Sequence, residues 1–193
     1  MPNVVVVYHS GFGHTEVLAE RIAAGAAAVD GVEASLIPVA DLPDPAADRS
    51  LGGRWPELDA ADAIVFGSPT YMGSVSAGLK RVLEASSGTW FQQTWKDKLA
   101  GGFTNGGSFS GDKLNALQDI QQFCMQHSMI WVSLGLLPGK RGPDDINRIG
   151  ATTGVMGTSD NESPTVTPPE GDRKTAELYG QRIAEACVRW SED

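Results

Sequence analysis

The run Val4-Val5-Val6-Val7-Tyr8, followed closely by Ser10-Gly11-Phe12-Gly13-His14-Thr15 and then by a helical pattern, constrains the fold more than any other feature. An uninterrupted branched apolar segment needs burial on both faces, as in a parallel sheet covered by helices. Runs of the same kind recur at residues 32–39, 63–67, 99–104 and 129–135, with helical spacing between most of them. Five strands with crossover helices imply an α/β fold, a doubly wound five-stranded parallel sheet with helices on both faces. The helix opening at His14 carries Leu18, Ile22, Ala26 and Val29 on one stripe. Further helices are expected at 76–85, at 112–127 with Leu117, Ile120, Cys124 and His127 facing inward, and at 173–190 with Ala176, Tyr179, Ile183 and Cys187 inward. Residues 40–57, rich in Pro, Asp and Ala, read as a surface loop. The connector 138–171 exceeds the roughly 12–15 residues that compact domains tolerate without structure, so it is expected to be functional or disordered. A chain of 193 residues is expected to form one domain, 1–193.

The loop Ser10 to Thr15 points several backbone N–H groups and two hydroxyls at one place, at the positive end of a helix dipole. Charge-assisted hydrogen bonds of roughly 1.5–3 kcal/mol each hold a phosphate there without a basic side chain. The loop contains no lysine or arginine, so it lacks the lysine with which a nucleoside-triphosphate loop meets the outer phosphates. The dinucleotide fingerprint also fails, because Glu16 stands where its third glycine belongs. A terminal phosphomonoester such as that of FMN fits the pattern; a capped helix start with nothing bound fits the same residues.

Ligands of an open parallel sheet lie beyond the carboxyl ends of its strands, where two more loops are expected. Ser68-Pro69-Thr70-Tyr71-Met72-Gly73 combines a rigid turn, a hydroxyl, a flat ring and a glycine. These suit a planar heteroaromatic ring, and equally an ordinary strand-to-helix turn. Thr104-Asn105-Gly106-Gly107-Ser108-Phe109-Ser110-Gly111 has more glycine than packing explains, so close backbone approach to a ligand is the better account. Phe109 stands where a G-x-S-x-G elbow would carry its nucleophile, which disfavours a serine hydrolase.

A formal charge of −9 and a pI near 4.7 disfavour nucleic acid and anionic membranes as partners. No apolar run approaches the ~20 residues of a membrane span, and the first strand follows no basic leader, so a cytoplasmic location is the expectation. Cys124 and Cys187 fall on apolar helix faces and read as buried reduced thiols. Cys124 and His127 lack two further ligands at a recognisable spacing, so no metal is expected. Trp95, Trp131 and Trp190 read as core or interface aromatics, and Asp144 and Asp145 as solvated loop charges.

These loops, together with Trp90 in GTWFQQTWKDKLAGGFTNGGS, QHSMIWVSLG from Gln126, IGATT from Ile149 and PPEGDRKTAELYGQRIA from Pro168, resemble the flavodoxin-like WrbA-type NAD(P)H:quinone oxidoreductases over nearly the whole chain. The resemblance implies strand order 2-1-3-4-5 and a reaction in which FMN takes a hydride from NADH or NADPH and passes two electrons to a quinone. By position it implies that Ser10, Gly11, Phe12, Gly13, His14 and Thr15 hold the FMN phosphate. Pro69, Thr70, Tyr71, Met72 and Gly73 would hold the ring, and Thr104, Asn105, Gly106, Gly107, Ser108 and Phe109 its pyrimidine side and ribityl chain. Phe12 would lie near the nicotinamide, and Trp90 would form the wall against which the quinone stacks. His127 would reach the flavin edge, in such families often from a neighbouring subunit of a dimer or tetramer. His127 is also the candidate proton relay, since its ordinary pKa lies near neutrality, although a histidine on an apolar stripe suits a core position as well. Lys140, Arg141 and Arg148 would be available to a nucleotide phosphate. The alternatives are a flavodoxin-like FMN electron carrier and a protein of this fold that acts through interaction with weak flavin binding.

Overall fold

The computed structural model describes residues 1–191. Its elements are β1 (Asn3–Tyr8), α1 (His14–Ala27), β2 (Glu33–Pro38), a 3-10 turn (Val39–Asp41), α2 (Trp55–Ala60), β3 (Ala63–Tyr71), β4 (Ser74–Val75), α3 (Ala77–Ala85), α4 (Ser87–Gln92), β5 (Leu99–Gly106), α5 (Lys113–Gln126), β6 (Ile130–Trp131), β7 (Val155–Thr158) and α6 (Glu170–Ser191). The parallel sheet runs β2-β1-β3-β5-β6, the expected order of five strand positions, while β4 pairs antiparallel with β3.

Alternation within the valine run explains why both faces are covered. Val4, Val6 and Tyr8 pack with Leu18, Ile22, Tyr179 and Ile183 of α1 and α6, whereas Val5 and Val7 pack with Leu58, Leu79 and Ile120 on the other face. Helices α1 and α6 cross through a reciprocal close approach. A methyl group on Gly25 would collide with the Glu177 carbonyl, and one on Gly180 with the Ile22 carbonyl. Only glycine allows backbones this near. On the second face Trp55 and Trp95 are stacked with centroids 6.4 Å apart, and their indole N–H groups donate to Pro43 O (2.9 Å) and Asp59 Oδ1 (2.7 Å). Trp131 donates to Thr153 O, while Trp190 is more than half exposed. Both cysteines are free and buried.

The fifth strand position corrects the expectation for 129–135. Only Ile130 and Trp131 pair with β5, and Val132 N–H adds one bond to Ala100 O at 2.8 Å. The chain then leaves the sheet, and β7, from inside the connector 138–171, takes the rest of that edge, from Phe103↔Val155 to Gly106↔Thr158. Asn147 ties this excursion together. Its Nδ2 donates to Leu136 O and Ala151 O, both at 2.9 Å, and its Oδ1 accepts the Ala151 N–H. The connector is therefore built structure, and Asp145 within it accepts the Gly142 N–H at 2.8 Å rather than merely facing water. The loop 40–57 is mostly irregular, as expected, but ends in α2 with Trp55 buried. Helix α4 carries no clear periodicity in the sequence and is a finding of the structure. Among the described residues no helix is long and apolar enough to cross a membrane.

Candidate active site

At the carboxyl edge of β1, β3 and β5 lies a cleft of about 570 Å³, within the range of small-ligand sites. The first loop forms its floor. Ser10 Oγ accepts the N–H groups of Gly13 (3.0 Å) and Glu16 (3.3 Å), so the hydroxyl proton of Ser10 is left to donate. Gly13, at φ 89°, caps α1 in the left-handed region, where an L side chain is strained. The N–H groups of Gly11, Phe12, His14 and Thr15 have no partner among the described residues, and neither has the Thr15 hydroxyl. Four N–H donors and two hydroxyls at the start of a 14-residue helix make a cradle for an acceptor-rich dianion.

The second and third loops are fastened to each other above this floor. Thr104 Oγ1 donates to Ser68 O at 2.7 Å, so the 2.7 Å contact with Thr70 must be a bond donated by Thr70. Thr104 is thereby buried and works as a brace between β3 and β5. Tyr71 lies across Gly11, leaving no room there for a methyl group, and its half-exposed ring walls the cleft. Met72 and Gly73, at φ 49° and 82°, form the two-residue turn into β4. Met72 is fully exposed, and neither residue lines the cleft. Asn105, Gly106 and Gly107 do line it, with Asn105 Oδ1 accepting from Ser159 Oγ at 3.1 Å.

The structure thus brings together Ser10, Gly11, Phe12, His14, Thr15, Pro69, Thr70, Tyr71, Asn105, Gly106 and Gly107, with Gly13 shaping the floor from behind. It does not bring in the rest. Ser108 and Phe109 lie beyond the cleft, where the Phe109 ring sits 4.8 Å under the Arg148 guanidinium. Trp90 and His127 line a separate cavity of about 560 Å³ between α3, α4 and α5. His127 is buried, stacked 4.6 Å from Trp95, and bonded through Nε2 to Ser86 Oγ at 3.0 Å. Ser86 donates its own proton to Leu83 O, so His127 Nε2 carries the hydrogen and Nδ1 is an acceptor without a partner. Burial pulls the imidazole down to about 4. Near neutrality it is uncharged, so the reason for reading it as a proton donor does not hold in the single chain.

Two groups of residues escaped the sequence reading, apart from Arg148 in the second. Ser159, Asp160, Asn161, Glu162 and Pro164 close the far side of the cleft, held by a bond from His14 Nε2 to Glu162 O at 2.9 Å. Their signal was a polar run directly after the apolar stretch that becomes β7. The second group is charged and buried. Arg148 holds Asp172 through Nε (2.7 Å) and Nη2 (3.0 Å), so it is not free to receive a nucleotide phosphate, and Lys113 lies beside this pair. Among the described residues no three His, Cys, Asp or Glu side chains are grouped to hold a metal.

Residues 3–138 match the family model described as NADPH-dependent FMN reductase. The chain is 40% identical over 190 residues to Flavodoxin FldP of Pseudomonas aeruginosa (strain UCBPP-PA14), a match spanning 95% of this chain and 96% of that one. It is 31% identical over 205 residues to an NAD(P)H dehydrogenase (quinone) of Chromohalobacter salexigens, spanning 98% of each. A solved WrbA-like flavodoxin from Agrobacterium tumefaciens superposes with a TM-score of 0.74 at 40% identity, covering 98% of this chain and 99% of that one. With most of its length in the family model and relatives above 30% identity along nearly all of it, the chain belongs to the NADPH-dependent FMN reductase family, in its flavodoxin-like, WrbA-type branch.

Proposed function

We propose that the chain binds FMN in this cleft and reduces quinones by two electrons at the expense of NADH or NADPH. The observation that carries the reading is the cradle of unpartnered N–H groups and hydroxyls at the start of α1, free of basic side chains, below a flat tyrosine and a glycine-rich strand end. Bound FMN would supply hydride acceptance and two-electron delivery. The chain's residues bind and orient: Ser10 to Thr15 take the phosphate, while Thr70, Tyr71 and the backbone of Asn105 to Gly107 take the ring. Phe12, exposed at the rim, is placed to meet the nicotinamide. Asp160 and Glu162 add an acidic rim opposite.

Trp90 and His127 lie outside the cleft of their own chain but together line one cavity, where the Trp90 ring is partly exposed. This supports a dimer or tetramer in which they complete the cleft of another copy. Two unpaired buried thiols support a cytoplasmic location. The 40% identity to a protein named flavodoxin favours a second reading, an FMN electron carrier with no productive nucleotide access. Visible spectra of FMN-loaded protein under anaerobic conditions separate the two. Bleaching by NADH or NADPH with recovery on adding a quinone is expected. A bound-flavin spectrum that nucleotide leaves unchanged would establish the carrier, and a free-flavin spectrum would overturn both.

A further inference from the structure

Lys113 is fully buried at the first turn of α5, and the function proposed above makes no use of it. Its side chain runs behind the cleft wall. A methyl group built on Gly106 would lie 3.3 Å from Lys113 Cε and 3.8 Å from Thr70 Cβ, and both Gly106 and Thr70 line the cleft. One layer of backbone therefore separates this side chain from the ligand space. Lys113 Nζ donates to Thr158 Oγ1 at 2.5 Å and forms no ion pair among the described residues. The carboxylate nearest in effect, Asp172, is already held at both oxygens by Arg148 and also accepts the Thr158 N–H at 2.8 Å. Two cations and one anion are buried together, which leaves one positive charge unbalanced. Burial lowers Lys113 only to about 8, so it stays largely protonated at neutral pH. An ammonium buried with one neutral partner weakens the fold, and a methionine would fill the same space without that cost. A charge retained at such a cost fits a site that gains negative charge in use.

We propose that Lys113 is a positioning residue whose unbalanced charge stabilises the negative charge that reduction places on a flavin in the cleft, and so raises that flavin's reduction potential. A hydride brings two electrons and one proton, so its transfer from NAD(P)H leaves NAD(P)⁺ and adds one negative charge to the ring. The inference rests on the FMN site proposed above. At an effective dielectric of about 20, a unit charge on the order of 10 Å from the ring would favour the reduced over the oxidised ligand about tenfold.

The test is the two-electron midpoint potential of bound FMN, equilibrated with mediator dyes, in the parent, Lys113→Met and Lys113→Arg. We expect Lys113→Met to lower the ratio of reduced to oxidised FMN affinity about tenfold, a fall of about 30 mV, while Lys113→Arg holds the parent value. Thermal stability of Lys113→Met without ligand should equal or exceed that of the parent, which a merely structural lysine would not allow. Should Lys113→Met not fold, Lys113→Gln carries the same expectation. An unchanged potential in a neutral variant that binds FMN overturns the proposal. A lower affinity for oxidised FMN with unaltered riboflavin affinity and potential assigns the charge to the phosphate, and also overturns it. A parent that binds no FMN refutes the proposed function itself, and the inference with it.

Discussion

Gly13→Ala tests the phosphate cradle with an internal control. Gly13 sits at φ 89°, and a methyl group there would stand 2.7 Å from Pro164 Cγ and 3.2 Å from its Cβ. Gly31, at φ 75°, has nothing within 4 Å of the same position. Both substitutions therefore impose the left-handed strain of about 1–2 kcal/mol, but only the first also presses on the cleft wall. Relief at Gly13 rotates the two peptide units that flank it, which carry the His14 N–H and the Gly13 N–H that fixes Ser10 Oγ, so the His14 donor and the Ser10 hydroxyl both lose their aim. Loss of two charge-assisted bonds at roughly 1.5–3 kcal/mol each weakens phosphate binding by about 3–6 kcal/mol, more than a hundredfold in Kd. The assay is FMN titration by quenching of flavin fluorescence, with riboflavin as the ligand that lacks a phosphate and urea midpoints to report stability. We expect Gly31→Ala to lose stability with FMN affinity intact, and Gly13→Ala to lose FMN affinity far more than riboflavin affinity. Equal FMN affinity in parent and Gly13→Ala would refute the assignment of this loop to a phosphate.

Trp90→Ala is expected to raise the quinone KM severalfold while changing FMN affinity little; identical steady-state kinetics would remove Trp90 from the site. If Trp90 and His127 act on another copy's cleft, specific activity should fall on dilution, and strict proportionality over a wide concentration range would argue against sharing. His127 binds its proton more weakly folded than unfolded, so the unfolded chain takes up a proton as pH falls from about 6.5 toward about 4. The stability this group contributes is complete above that window and declines through it. His127→Gln should flatten that part of the profile of urea midpoint against pH, leaving the slope of the same sign from His9, which burial also lowers. Arg148→Met takes both guanidinium bonds from buried Asp172, leaving it the Thr158 N–H and the charge of Lys113 without an ion pair, and should cost about 3–5 kcal/mol in urea unfolding, against a small effect for Arg→Met at exposed Arg49.

Much of the architecture was legible because burial on both faces writes itself into a strand as an unbroken apolar run. Val4 to Val7 announced β1, and the stripe Leu18, Ile22, Ala26 announced α1. The floor of the cleft was legible for a related reason, since a loop that offers backbone donors must be small, polar and glycine-containing. Trp90 and His127 read as members of one site with Ser10, yet within the chain they line a different cavity, because sequence position carries no information about which face of a helix meets which ligand.

What the sequence determined alone was local: four of the five sheet positions and the start of the fifth, most of the helices, the donor-rich turn at Ser10 to Thr15, and an acidic surface. Each follows from a periodicity or a composition that acts over a few residues. Tertiary structure decided the rest. It divided the fifth strand position between Ile130–Trp131 and Val155–Thr158, because β5 offered two stretches of free edge and the intervening chain could fold on Asn147 before returning. It also carried residues 159–164 across the cleft, and set Lys113 behind Gly106 beside an Arg148–Asp172 pair with no charge to spare for it. Such placements depend on hydrogen bonds and charges between residues tens of positions apart, and no local pattern encodes them.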